Sequence, residues 1–214
     1  MGRTASLPCG RGSVKAWGLV MCLMMAVGAE AVIVDRIAVS VGDKIVTESE
    51  IDLRIRLSAF QNREKPDFSL ASRRRAAQEL IDQRLVEREM DLGHYPRLDD
   101  THRKALLDDY FKTGNNADLA AYGLKPQDLE EDLGRQEDLL TFLNLRFRPA
   151  VQVTDQDVQK YFEENVPKGA LNEVRSEIQQ KLTNERADKE LDLWLQDQRK
   201  RTKIEYLEKD LESK

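Results

Sequence analysis

Cysteine is almost missing from this chain. It has two, Cys9 and Cys22, both within the first 22 residues. From residue 23 onward no disulfide framework, metal-binding cysteine pair or thiol nucleophile can be built. Histidine is equally scarce, with only His94 and His102. They stand eight residues apart and have no cysteine partner, so no metal-ligand spacing exists; both read as loop or surface residues. Glycine (11) and proline (6) are few. No Gly-rich phosphate loop, dinucleotide fingerprint or Gly-x-Ser-x-Gly elbow is present. Acidic pairs such as Asp99-Asp100, Asp108-Asp109 and Glu130-Glu131 fall at helix starts or on solvated faces. Caps explain them more simply than acid–base catalysis does. The residues imply no enzyme, no metal and no cofactor.

Long apolar runs are missing too. The longest, Trp17–Val27, has eleven residues, against about 20 for a membrane span. Arg3, Arg11 and Lys15 precede it, and Gly28, Ala29 and Ala31 follow. Residues 1–31 therefore read as a secretory signal peptide, cut after Ala29 or Ala31, with a retained anchor as the alternative. Cys22 follows Met21 rather than a small residue, which argues against lipidation. The expected exported chain spans no membrane and is free of cysteine, which suits an oxidising compartment. If cleavage follows Ala29, the 34 basic residues of the full chain become 31 against 39 acidic ones, a net charge of −8. So acidic a chain is a poor partner for nucleic acid or anionic lipid.

What is present is charge and helical periodicity. Charged residues make up 34% and aromatics 6%, as expected of a mainly helical chain with large solvated faces. The exception lies at Ile33–Ile51. Ile37, Val39 and Val41 alternate, Gly42-Asp43 supplies a turn, and Ile45-Val46 returns: a β-hairpin with one buried face. Thr47 stands three residues before Glu50, the capping-box spacing, so a helix should follow from Glu48 to Phe60. Its apolar residues form two stripes, Ile51/Ile55 and Leu53/Leu57/Phe60, which predicts neighbours on two sides.

Five further helices, one of them short, are predicted before the long one. Ser69 caps a helix to Leu92, with Ala77, Ile81, Leu85 and Leu92 inward and Gly93 at the C′ position. Arg73-Arg74-Arg75 in its first turn opposes the helix dipole; a solvated face is the simpler reading, an anion contact the sharper one. Asp99 or Asp100 caps a helix through Lys112, carrying Leu106, Leu107, Tyr110 and Phe111 and stopped by Gly114-Asn115-Asn116. A short helix, Ala117–Tyr122, precedes one from Gln127 to Arg148, which should bury Leu129, Leu133, Leu140, Leu143 and Phe147. Thr154, with Asp157 three residues on, caps a helix carrying Val158, Tyr161 and Phe162.

After a break at Pro167-Lys168-Gly169, a helix from Leu171 to about Arg199 should run roughly 45 Å. Lys203–Leu207 alternates as a last strand and is the natural partner of the opening hairpin. The expected fold is mainly α, with a small antiparallel sheet from the N-terminal hairpin and the C-terminal strand. Residues 32–166 form the first part of one domain, and 167–214 complete it with the long helix and strand. Surplus apolar helix surface points to a groove for peptides or partner helices. The aromatics that stand out for it are Tyr110, Phe111, Tyr122, Phe142 and Phe147.

Four stretches, in order, carry a family resemblance. Val34–Ile51 resembles the mature start of SurA-type periplasmic chaperones and related parvulin-family foldases. Glu79–Val86 is similar to their Leu-Ile-(Asp/Glu)-x-Lys-Leu segment. Val151–Phe162 resembles their Val-Thr-(Asp/Glu) helix ending in paired aromatics, and Leu171–Leu207 their long C-terminal helix and closing strand. The departure is equally clear. Most relatives carry a parvulin domain of about a hundred residues between the last two stretches, whereas here only eight residues separate Phe162 from Leu171.

The resemblance implies an ATP-independent periplasmic holdase, without prolyl isomerase activity or cofactor, for unfolded or nascent exported polypeptides. Outer-membrane protein precursors are the foremost expected partners. The alternative is a structural or interaction protein of the envelope, forming a helix-exchanged homodimer or docking one partner.

Overall fold

A computed structural model describes residues 35–113, 118–165 and 170–212. The leader expected at 1–31, the expected Gly114-Asn115-Asn116 stop and the expected Pro167-Lys168-Gly169 break lie outside the described residues. The chain is mainly helical, with a small three-stranded antiparallel sheet. Strands β1 (Ile37–Val41) and β2 (Lys44–Thr47) form the hairpin. Helices α1 (Glu48–Asn62), α2 (Leu70–Leu92), α3 (Asp100–Lys112), α4 (Pro126–Arg146), α5 (Asp155–Asn165) and α6 (Leu171–Arg201) follow, and β3 (Ile204–Tyr206) closes the sheet. Among the described residues, no helix is long and apolar enough to cross a membrane.

The first strand is the centre of the sheet, in the order β2-β1-β3. Val39 pairs with Val46 on one side and Tyr206 on the other. Gly42 turns the hairpin at φ +61°, a conformation that glycine adopts without steric cost. Its amide donates to the Lys203 carbonyl at 2.9 Å, which ties the turn to the end of α6. One detail departs from simple alternation. The β1–β2 register shifts between Ile37 and Val39, so Ala38 is buried while Ile37 stays 44% exposed. The irregularity takes Ile37 out of phase, as a bulge does.

The capping box forms as its spacing predicts. The Glu50 amide donates to Thr47 Oγ1 at 3.3 Å, and the Thr47 amide to Glu50 Oε2 at 2.9 Å. The two stripes of α1 serve two clusters. Ile51 and Ile55 pack with the sheet, Ala77, Ile81 and Leu85; Leu57 and Phe60, with Leu53 beside them, pack with Leu124 and Leu129.

The second helix ends differently from the expectation. Gly93 is not left-handed (φ −88°); His94 is, at φ 51°. The Tyr95 amide reaches the Met90 carbonyl at 3.0 Å and the His94 amide that of Asp91 at 3.4 Å, a Schellman closure with His at C′. Glycine is needed at 93 for space: a Cβ there would stand 2.5 Å from the Tyr95 ring. Leu92, expected inward, is 68% exposed. It is the last residue of α2, and Tyr95 folds back beneath it to join the core instead.

The last helix runs first along α5, then along α2 and α4. Ala187, Leu191, Trp194 and Leu195 join Val86, Met90, Phe142, Leu143 and Phe147 in a third cluster. Leu211, in a 3₁₀ turn after β3, is fully buried in the sheet cluster. The Arg73-Arg74 run secures this tail. Arg73 pairs with Asp52 at 2.7 Å and Glu208 at 3.0 Å, and Arg74 Nε donates to the Asp210 carbonyl at 2.7 Å. For these two arginines the solvated-face reading gives way to a structural clamp.

Thr154 caps α5 through Asp157, and Arg186 of α6 pairs with the same carboxylate at 2.8 Å. The Arg186 guanidinium first, then the Thr154 amide and hydroxyl, hold the Asp157 carboxyl well below the usual carboxylate range. A depressed folded pKa stabilises the fold above the unfolded value of about 3.9 and does so progressively less below it. The α5–α6 pairing should therefore be unchanged from pH 7 to 5 and loosen below about pH 4. Hydrogen exchange of α5 across that range checks this, with Asp157→Asn removing part of the acid response. Loosening that grows toward neutral pH would contradict it.

Candidate functional site

The five aromatics do not form one surface. Phe142 is fully buried and Phe147 8% exposed. Both stack edge-on with Trp194, at 5.4 and 6.2 Å between ring centroids, and Phe142 also meets Tyr95 at 5.1 Å. These two are core side chains beneath α2 and α6, away from any surface a ligand could reach. Tyr110 and Phe111 of α3 and Tyr122 of the 3₁₀ turn Leu119–Tyr122 are half-buried around Phe60. Phe60 lies 5.5 Å from Tyr122 and 6.2 Å from Tyr110. Burial pushes the Tyr110 phenol above its ordinary pKa. Of the five, these three border solvent.

An apolar concavity lies elsewhere. A cleft of ≈ 290 Å³ opens between α2, α4 and α6, at the small end of ligand pockets. Its apolar floor is Val86 and Met90 from α2, Leu139 from α4, and Leu191 and Leu195 from α6. Leu139 reveals the opening. Phe142 and Leu143, three and four residues on, share its side of α4 and are 0% and 8% exposed, yet Leu139 keeps 37%. Helical spacing puts the three on one face; the cleft in front of Leu139 accounts for the difference.

Charge surrounds the floor in closed pairs. Arg54 bridges Glu79 at 2.7 Å and Asp132 at 3.2 Å, and Arg199 holds Asp82 at 2.6 Å. Two aspartates of α4 are nearly inaccessible: Asp132 at 3% and Asp138 at 5% exposed. Asp132 accepts from Arg54, Gln61 (2.9 Å) and Gln136 (2.7 Å). Asp138 accepts from the Leu98 amide and from Arg103 Nη2, each at 2.7 Å. Such pairing is what burial of a carboxylate requires. It makes both aspartates positioning groups that fix α1 and α3 against α4.

Sequence reasoning missed Asp132 and Asp138. The signal was available in Gly134, a glycine inside a helix between them. A Cβ at Gly134 would stand 2.1 Å from Arg103 Nη1 and 2.8 Å from its Cζ. The glycine is the slot through which Arg103 crosses α4 to reach Asp138.

The histidines are accounted for structurally. His94 closes α2, and His102 Nδ1 lies 2.8 Å from Asp99 Oδ1, its own helix cap. Among the described residues, no group of three His, Asp or Glu side chains could hold a metal ion. Leu140, expected in the core, is 51% exposed. It stands outside the arc that Phe142, Leu143 and Phe147 present to α2 and α6. No family model matches the sequence, and no curated protein compared with it matches either.

Proposed function

We propose that this chain is an ATP-independent holdase of the periplasm, a SurA-type module without a parvulin domain, that binds unfolded polypeptides. Outer-membrane protein precursors are its foremost clients. The observation that carries the reading is the open apolar cleft floored by Val86, Met90, Leu139, Leu191 and Leu195. Along α2 it extends from Glu79 to Met90, about 16 Å at 1.5 Å per residue. That is the span of about five residues of extended chain. A shallow apolar trough of that length, with its ionic groups already paired, suits transient contact with many sequences rather than one specific ligand.

The order of elements supports the same reading: a hairpin, helices, one long helix and a strand returning to the hairpin. Only five residues separate α5 from α6, where relatives would carry the isomerase.

The test is an aggregation assay with an unfolded β-barrel precursor, run beside a prolyl-peptide assay. The protein should suppress aggregation and leave the isomerisation rate unchanged. Leu139→Glu should weaken suppression about tenfold, equivalent to ~1.4 kcal/mol, while shifting the melting temperature little, because Leu139 is already partly exposed. Suppression by the Glu variant equal to that of the parent would remove the cleft from the binding surface.

A further inference from the structure

We propose that α3 is a lid, swinging away from α4 to uncover an apolar floor built from Leu57, Phe60, Leu124 and Leu129. These four side chains are at most 5% exposed. The helix that covers them buries no residue of its own. Leu107, Tyr110 and Phe111 only rest against the floor, half-buried. Every other α-helix among the described residues anchors at least one buried side chain.

The polar fastening is as sparse. Among the described residues, a single ion pair leaves α3 for another element: Arg103 to Asp138. The remaining charges of α3 that pair do so within the helix or with its own cap, as His102–Asp99 and Lys112–Asp109. By contrast α2 is tied to α1, the tail and α6 by arginines at Glu79, Arg73, Arg84 and Asp82. Segments with few buried contacts and few ties open at free energies below global unfolding. The Arg103–Asp138 pair therefore acts as the latch, seated through the Gly134 slot.

An open lid presents two apolar surfaces at once, the floor and its own Leu107-Tyr110-Phe111 face, with Tyr122 beside them. This would be a second client surface, distinct from the α2–α4–α6 cleft. What it takes, unfolded polypeptide, rests on the holdase reading; the motion does not.

The latch offers its own test. Arg103 Cγ lies 3.1 Å from where a Cβ at Gly134 would stand, which places the two Cβ atoms near the ~3.8 Å separation of a disulfide. Arg103→Cys with Gly134→Cys, in the chain from Val32 onward, introduces its only two cysteines. Hydrogen exchange of the unmodified protein is measured first and needs no variant. Its α3 amides should exchange about 100-fold faster than the protected amides of α2. Oxidising the double variant should slow α3 exchange about tenfold relative to its reduced form and lower aggregation suppression, with reduction restoring both.

Exchange of α3 at the same rate as α2 in the unmodified protein overturns the lid. An oxidised variant that suppresses aggregation as well as its reduced form, when the unmodified protein is active, overturns the second client surface. If α3 opens and the disulfide closes it while the unmodified protein suppresses no aggregation, the lid stands and the holdase reading fails.

Discussion

A chain ending at Lys203 is expected to lose its cooperative unfolding transition, although eleven residues are a small fraction of its length. The reason is the position of β1. It is the central strand, and β3 is one of its two partners. Without β3, Val39 and Val41 keep hydrogen-bonded neighbours on one side only, and a two-stranded ribbon is marginal in water. The Leu207 and Glu208 amides, which donate to the Ala38 carbonyl at 2.9 and 3.1 Å, go as well. So does Leu211, fully buried among the sheet, α1 and α2. Arg73, 20% exposed, is left with one carboxylate partner instead of two.

Truncating a buried leucine to alanine alone costs about 2–5 kcal/mol, and a domain of this kind has only about 5–15 kcal/mol in total. Leu211→Ala should therefore lower the urea midpoint clearly with the slope unchanged. The truncated chain should show a broad transition with a reduced slope. A sharp transition with an unchanged slope would mean that the sheet does not clasp the fold.

Both ends of this clasp were legible in the sequence. Period-2 alternation, a Gly-Asp turn and a Thr-x-x-Glu box are local signals, and local forces decide them. The two stripes of α1 were legible for a related reason: a helix with apolar residues on two sides needs two neighbours, whichever they are. What stayed hidden depends on which neighbours arrive. Leu140 lies eleven residues beyond Leu129, about 20° from it around the helix, yet Leu129 is fully buried and Leu140 is exposed. The first half of α4 faces α1 and α3; the second half faces α2 and α6. No single stripe describes a helix whose partners change along its length.

Asp132 and Asp138 escaped notice because counting apolar residues leaves out carboxylates that become buried by pairing. Arg103, which holds Asp138, and Arg54, which holds Asp132, lie 35 and 78 residues away. Arg73 and Arg74 looked solvated for the same reason, since Glu208 and Asp210 lie about 135 residues downstream. A groove was expected from the surplus of apolar helix surface, but its place was not legible: Leu139 was not among the residues singled out, and nothing local marks the space between α2, α4 and α6 in front of it.

Phe142→Ala should be the most damaging single substitution in the α4–α6 cluster, and its effect should be on stability before binding. The side chain is fully buried, with rings of Tyr95, Phe147 and Trp194 at 5.1, 5.6 and 5.4 Å. Arg146 lies over three of these rings at 5.6–5.8 Å, while pairing with Glu89 at 2.8 Å. Removing a buried phenylalanine costs about 3–5 kcal/mol, and each lost aromatic pair about 0.5–1.5 kcal/mol of that. For a chain of this size the melting temperature should fall by roughly 10 °C.

Trp194 reports the change directly. Beyond residue 31 it is the only tryptophan, and its indole nitrogen is buried without a hydrogen-bond partner. Water admitted to the cavity would find that N–H, so emission should shift to the red even in the folded variant. On the proposed holdase reading, client binding per folded molecule should stay near that of the parent, because Phe142 lines neither the cleft nor the surface under α3. Tyr110→Ala makes the contrast: a smaller loss of stability, from a half-buried ring, with a larger loss of suppression. If Phe142→Ala instead abolished suppression while melting like the parent, Phe142 would be a contact residue and the core described here would have to open when clients bind.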